Sequence, residues 1–566
     1  MRNPVTRAFL LASTLTLAAL GGSAPAFAMP GDVQDDAGKH AKATTPAAPA
    51  APSAPTPPPG APTPAAINAK KLYEAEKWYE AAEALASVAK GETGDDEGNK
   101  EVAQFNLAKV LYKLKYFQGA YSIFIDISGK PGHNKFKETL LWLAKLATDL
   151  PESADVIERV GQYSDDAING FNNEEQHDVY WELNYLLGRY KYRNNQNTEA
   201  LALFAKVDRQ SKYYVKAQFF SGITSVKLRE SKPAVEAFQR VLGALEEGVG
   251  GVEDEARMRD LAYLSMARTF YSSSIKLDES TNAPTVDPTR LSAAVKYWNK
   301  VDQASEYWLD ALFEESWAYF MAGDYSHALG NIHTIQSPYF PDSFYPEADV
   351  LRAVIYFANC QYDDAAIIIA QLRAKYEPIR DELTKILAQY PEGQDEQFFT
   401  FLQKVRAKKA GLKANVRPIV YNSLNDRQLL RGLDYVAVLD AEQARFMKSK
   451  SDFQSSAAGQ GVKDAIFSAR AGAVTAAGAL ARDRYTRNLE DLNERISNSQ
   501  EVTVDITQAR LNQLSEVMAG GQVKAADAAV NLVTPDEEHV IWPFNGEYWR
   551  DELGYYRQSI ASKCGR

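Results

Sequence analysis

Residues 315–329 read Glu-Ser-Trp-Ala-Tyr-Phe-Met-Ala-Gly-Asp-Tyr-Ser-His-Ala-Leu. A small residue, Ser316, is followed 12 positions on by another, Ala328, and four further by the large apolar Ile332. Gly323-Asp324 breaks the run in its middle, so the stretch predicts a helix, a tight turn and a second, antiparallel helix. The small residues let the two helices approach closely, and the large one fills the gap to the next hairpin. Working outward, the same spacing recurs at Ala108, Ala120 and Phe124, at Gly188, Ala200 and Phe204, and at Gly222, Ala234 and Phe238. Ala353, Tyr362, Ala365 and Ile369 repeat Ser316, Tyr325, Ala328 and Ile332 after 37 residues, while Ala200 and Ala234 are 34 apart. A fixed period of this size is the signature of a stacked array.

Further copies are imperfect. Trp78, Ala81 and Leu85 fit the second half of a first repeat, and Leu143-Ala144 begins one whose second helix is shortened around Pro151. Met266, Ala267 and Phe270 fit a first helix, but Ala294 and Trp298 fall 15 residues late, after an insert with turn-forming Asn282-Ala283-Pro284 and Asp287-Pro288-Thr289. Together these positions resemble the tetratricopeptide repeat (TPR) family, a 34-residue helix–turn–helix module whose inter-helix turn Gly323-Asp324-Tyr325 and Ala328 match. The resemblance covers about residues 68–378. It implies an α-solenoid over 67–378 that binds protein segments on the face lined by first helices. Carried onto this chain, that face holds Lys109 and Tyr112, Arg189 and Tyr192, Lys216 and Phe219, Arg268 and Tyr271, and Trp317 and Phe320. Cations mixed with rings suit an acidic or aromatic peptide.

Ahead of the array the chain reads as an address and a tether. Arg2 and Arg7, the apolar run 8–21 and Ala26-Phe27-Ala28 form a signal peptide cleaved after Ala28. The apolar run is too short to anchor in a bilayer of about 30 Å, which implies a periplasmic protein without membrane insertion. Residues 29–66 follow as an Ala/Pro-rich disordered linker, with nine of the 25 prolines between Thr44 and Pro64. Polyproline II would extend those residues over roughly 65 Å.

Beyond Pro378 the register is lost. Residues 379–535 form a C-terminal helical region, where Leu430, Leu433, Ala437, Ala441 and Ala444 lie on one helix face. Val462 to Met518 reads as further helix, about 85 Å long if continuous, with Val502-Thr503-Val504 as its weak point. Gly472, Gly478 and many alanines predict close helix–helix contact, as in a helical hairpin or coiled coil that caps the array. Residues 536–566 form an aromatic-rich tail. Trp542, Phe544, Tyr548, Trp549, Tyr555 and Tyr556 crowd six rings into 15 positions, with a helix expected over 549–556. These rings need a surface, either the chain's own helices, which we expect, or a partner.

The predicted class is therefore all-α. Signal peptide, Ala/Pro linker, repeats and the tail Trp-Pro-Phe-Asn-Gly-Glu-Tyr-Trp-Arg-Asp-Glu-Leu-Gly-Tyr-Tyr are similar to the exported TPR proteins of the adventurous gliding motility machinery. That resemblance implies a non-enzymatic periplasmic scaffold, with other envelope or motility-complex proteins as partners. A periplasmic chaperone or assembly factor for outer-membrane or secreted proteins is the alternative.

Chemistry is hard to place on the chain. With 63 cationic and 74 acidic residues the net charge is −11, which disfavours nucleic acid. The six histidines are scattered, and His327 and His333 are six apart rather than at the i, i+4 spacing of helical metal ligands. No Gly-Lys-Ser/Thr phosphate loop or Gly-x-Ser-x-Gly elbow occurs. Asp165 to Gly170 suggests a calcium loop, yet Ala167 stands in for a ligand and Gln176 for the bidentate glutamate. No enzyme activity and no cofactor is expected. The two cysteines, Cys360 and Cys564, are read as free, although export would permit a bridge.

Overall fold

The computed structural model describes residues 55–277, 284–424, 426–518 and 533–564. The leader with its cleavage after Ala28, the linker up to residue 54, and Asn282-Ala283 of the insert lie outside the described residues. Among these the chain is all-α, with 22 α helices and one two-stranded hairpin.

The helices come in consecutive pairs: α1 (Pro64–Glu74) with α2 (Trp78–Ala89), and α3 (Glu97–Lys113) with α4 (Phe117–Ser128). Next, α5 (Phe136–Asp149) is followed only by short α6 (Val156–Val160) and α7 (Asp165–Asn169), so the helix expected to be shortened at Pro151 is broken into pieces. Pairing resumes with α8 (His177–Arg193) and α9 (Asn197–Phe204), then α10 (Tyr214–Lys227) and α11 (Ser231–Glu246). It continues through α12 (Glu255–Ser274) and α13 (Pro288–Trp298), α14 (Trp308–Ala322) and α15 (Tyr325–Ile335), and α16 (Pro346–Ala358) and α17 (Tyr362–Ala388). Pro378 lies inside α17, which runs ten residues past the point where the sequence register fades.

One turn geometry joins most pairs. Glu76, Lys115, Asn195, Arg229, Gly323 and Cys360 each adopt positive φ, between 54° and 76°. The residue after each donates its N–H five residues back: Asp324 to the carbonyl of Tyr319 at 2.8 Å, Gln196 to Lys191 and Gln361 to Tyr356 at 2.9 Å. This Schellman closure satisfies the last carbonyls of the first helix and reverses the chain. Close approach follows where glycine faces phenylalanine. A Cβ on Gly188 would lie 2.5 Å from the ring of Phe204, and one on Gly222 equally close to Phe238. Phe204 also meets Phe220 of the next pair, ring centres 5.8 Å apart, so the large residue fills its own hairpin as well as the gap beyond. Each such fully buried ring contributes about 1.5–3 kcal/mol.

Two expectations need correction. Thr56 to Thr63 do not behave as free linker. Thr56 donates its N–H to the Gly132 carbonyl at 2.9 Å, and Gly60 N–H reaches Asp96 at 2.8 Å. Thr63 bonds Asp95 through both N–H and hydroxyl and caps α1. Asp287-Pro288-Thr289 is not a loop either. Asp287 accepts from the N–H groups of Thr289 and Arg290, and Pro288 opens α13, the N-cap and N1 preferences of these residue types. Among the described residues, the rest of the insert forms a ribbon, β1 (Ile275–Leu277) antiparallel to β2 (Pro284–Val286), with Ile275 opposite Val286.

The C-terminal region comprises α18 (Asp395–Arg406), α19 (Arg417–Leu424), α20 (Arg427–Met447), α21 (Ser451–Ser455) and α22 (Ala457–Met518). The last is unbroken over 62 residues, roughly 93 Å. It packs on α17, α18 and α20 and reaches back to α4 and α2. Val502-Thr503-Val504 does not interrupt it, because Val502 and Ile506 are buried against the chain and packing outweighs a weak helix preference. Gly478 meets the backbone of Asp395 so closely that a Cβ would overlap its carbonyl oxygen, whereas Gly472 faces open space.

Candidate functional site

The residues expected to line a groove are mostly spent within the chain. Tyr192, Phe219, Arg268, Trp317 and Phe320 are buried. Phe219 packs on Phe238, and Trp317 on Phe320. Arg268 grips Glu314 through Nε at 2.9 and 3.0 Å, and Trp298 donates its indole N–H to the same carboxylate at 3.1 Å. Burial would strip charge from this guanidinium, yet the Glu314 carboxylate raises its pKa further. Tyr271 lies beside Trp298, with its hydroxyl shielded from solvent. Lys109 sits 4.9 Å from the Tyr73 ring centre, and Tyr112 donates to Asp149. Lys216 is exposed.

Arg189 shares its carboxylate partner with a C-terminal helix. It pairs with Glu152, which also takes Arg193 and, from α20, Arg431 at 2.5 Å. Burial pushes the Glu152 carboxyl up, but the guanidiniums of Arg189, Arg431 and Arg193 outweigh it and hold the pKa below the ordinary value. Other residues of the C-terminal helices do the same along the pairs. Arg427 joins Arg257 on Glu306, Arg495 of α22 reaches Glu347 at 3.2 Å, and Glu442 accepts the Gln118 N–H at 3.1 and 3.2 Å. The helices beyond Pro378 therefore bond along the pairs that precede them. Reversing the charge of Arg189 would break this network before it tested any partner.

The tail is the second site, and it docks on the paired helices rather than on the C-terminal ones. Its anchor is His333 on α15. The imidazole stacks on Tyr548 with ring centres 4.6 Å apart, and meets Phe544 at 4.6 Å and Tyr556 at 5.1 Å edge-on. Burial in this apolar nest, with Arg352 nearby, lowers its pKa. Gly330, one turn before, leaves room for the tail backbone: a Cβ there would overlap the Tyr556 carbonyl oxygen. Gly554, at φ 90°, lies against Trp308 and donates to the Thr334 hydroxyl at 3.0 Å. Gln558 and Lys563 donate N–H groups to the carbonyls of Ser326 and Asn359 at 3.1 and 2.9 Å.

Cys564 closes the clasp. Contrary to the expectation of free thiols, it forms a disulfide with Cys360, the positive-φ residue of the α16–α17 turn. A turn position presents the sulfur at the surface, where the tail arrives. Nor is 549–556 a helix, since only Arg550–Glu552 makes a single 3-10 turn. Of the six rings, Tyr556 is buried, Trp542 and Tyr548 are half-buried, and Phe544, Trp549 and Tyr555 stay exposed.

Sequence reasoning weighed His333 only as a metal ligand and passed over Gly330 and Glu152. A glycine inside a helix is the one available signal, because it weakens the helix unless something approaches closely. Among the described residues no three His, Cys, Asp or Glu side chains converge to hold a metal ion, and no helix is long and apolar enough to cross a membrane. Set beside known proteins, the chain matches no family model and no curated protein.

Proposed function

We propose that this chain is a non-enzymatic, exported TPR-type scaffold that joins proteins of an envelope-spanning complex in the periplasm, of the kind that drives gliding motility. The observation that carries the reading is the recurrence of one turn, with a positive-φ residue and the same backward hydrogen bond, between successive helix pairs. Stacked pairs of this kind are built to present extended surfaces rather than a reaction centre. The leader and linker of the sequence support export, and the tail motif supports the motility assignment. Because α20 and α22 already bond along the pairs, partner contacts belong on the surfaces they leave open.

The test is recovery of the native-level tagged protein from detergent-solubilised envelopes. A stable multi-protein complex, with the scaffold's N-terminus beginning after Ala28, is the expected result. Recovery of the protein alone would sink the scaffold reading, and a broad set of unfolded clients would identify a chaperone instead.

A further inference from the structure

The docked tail buries Leu553, Tyr556 and Ile560 and leaves much of its remaining apolar surface in water. Val540, Ile541, Phe544, Trp549 and Tyr555 are all exposed, Trp549 by 42% and Tyr555 by 72%. Tyr339, from the connection after α15, joins them: it is itself exposed and donates its hydroxyl to the Tyr548 carbonyl at 3.4 Å. Single exposed rings are ordinary, but so many large apolar side chains in one short segment mark a contact surface.

This surface is built before anything binds. Trp542 and Trp549 stack with ring centres 4.6 Å apart and planes 28° from parallel, and Phe544 meets Tyr548 edge-on at 5.2 Å. The Tyr556 hydroxyl accepts the Trp549 N–H at 2.9 Å and donates to the Trp549 carbonyl at 3.1 Å. With the Cys360–Cys564 bridge holding the far end, little conformational freedom remains to be lost on binding.

Its charge selects the occupant. Asp536, Glu537, Glu538, Glu547, Asp551 and Glu552 fall within 536–552, where Arg550 is the single lysine or arginine. Asp536 pairs with His539. Among the described residues, Glu537, Glu538, Asp551 and Glu552 have no cation partner. We propose that this face docks a protein segment in which arginines alternate with apolar residues. A guanidinium lies flat on Trp and Tyr rings while its N–H fork takes a carboxylate, which the ammonium of lysine does less well. Apolar side chains of the same segment cover Val540, Ile541 and Phe544. The proposal deepens the scaffold reading by naming the chemistry of one partner, and rests on it only in taking the occupant to be protein.

The experiment titrates the purified full chain, disulfide intact, with a synthetic peptide alternating arginine and leucine, and with lysine and glutamate versions of it. The arginine peptide is expected to bind at least about fivefold tighter than the lysine one, to weaken with added salt, and the glutamate peptide not to bind. Asp551→Asn with Glu552→Gln, and separately Trp549→Ala with Tyr555→Ala, should each weaken binding about tenfold. The first pair is exposed and leaves the ring stack alone, so its thermal midpoint should not move. Equal binding of all three peptides, salt-independent binding or unchanged affinity in the carboxylate variant would overturn the proposal. Salt-independent binding of a neutral oligosaccharide would reassign the rings to a glycan. If the carboxylate variant still assembles its envelope complex and still binds the peptide, the surface is wrong and the scaffold stands. If the peptide arms succeed and no complex is recovered, the scaffold is wrong and the surface stands.

Discussion

Glu315 and Glu442 are carboxylic acids placed where charge is costly. Both are buried. Glu442 accepts the Gln118 N–H, with Arg445 as its nearby cation, and Glu315 accepts from Asn331 Nδ2 at 2.9 Å, with Tyr319 and Asn299 beside it. Burial outweighs these bonds and pushes each pKa from 4.5 up to about 7. The folded state therefore holds these protons more tightly than the unfolded chain. Their stabilising contribution is complete below about pH 4.5 and is lost as the pH rises through about 7. Replacing both by glutamine should flatten the fall in stability between those pH values in urea titrations. A profile as steep as before would show that other groups carry it. Neither glutamate stands out in the sequence, since 74 acidic residues supply the same pattern everywhere. Burial is a property of the packed helices, so these two sites become visible only with them. The same holds for Cys360: its sequence context reads as a free thiol, and its place at the positive-φ turn, where the tail arrives, emerges only in the folded chain.

Helix positions were legible wherever small and large residues alternate in register, as at Gly188 with Phe204 or Ser316 with Ala328, because the 3.6-residue period dictates which of them meet. The turns were far less so. Gly323 is the sole glycine among the six positive-φ turn residues, and Glu76, Lys115, Asn195, Arg229 and Cys360 reach that conformation only because the closed hairpin holds them there. The C-terminal helices were legible as helices and not as neighbours, since nothing local to α22 indicates that it packs on α18. Gly478 is the decisive contact, meeting the backbone of Asp395 at the start of α18. Gly478→Leu should leave the helical circular dichroism nearly unchanged, as leucine is the better helix former. It should also force α18 away and accelerate amide exchange over residues 395–406. Unchanged protection there would show that α18 is held by other contacts.

Across the whole molecule, long-range bonds replace the neighbour-only logic of an open array. Arg431 reaches Glu152 across 279 residues and Glu442 reaches Gln118 across 324, so the first pairs and the last helices share their stability. The tail adds a third tie. Deleting residues 536–566 removes Leu553, Tyr556 and Ile560 from the core together with the disulfide. Truncating a buried aromatic, cavity included, costs about 3–5 kcal/mol, and a native disulfide contributes about 2–4 kcal/mol. The melting temperature should fall clearly, and Cys360→Ser with Cys564→Ser should lower it less, because the His333 nest still holds the tail. An unchanged melting temperature in the deletion would refute the docking. At the opposite end, Thr56 is fastened to Gly132 and Glu101, and Asn134 holds the Pro57 carbonyl, all ahead of the first helix. These bonds decide where a pull on the N-terminal end enters the folded helices. Tension arriving at Pro55 meets α3 and the 132–134 turn before it meets α1. Such a pull reaches the second helix pair through residues 56–60 before it reaches the first helix.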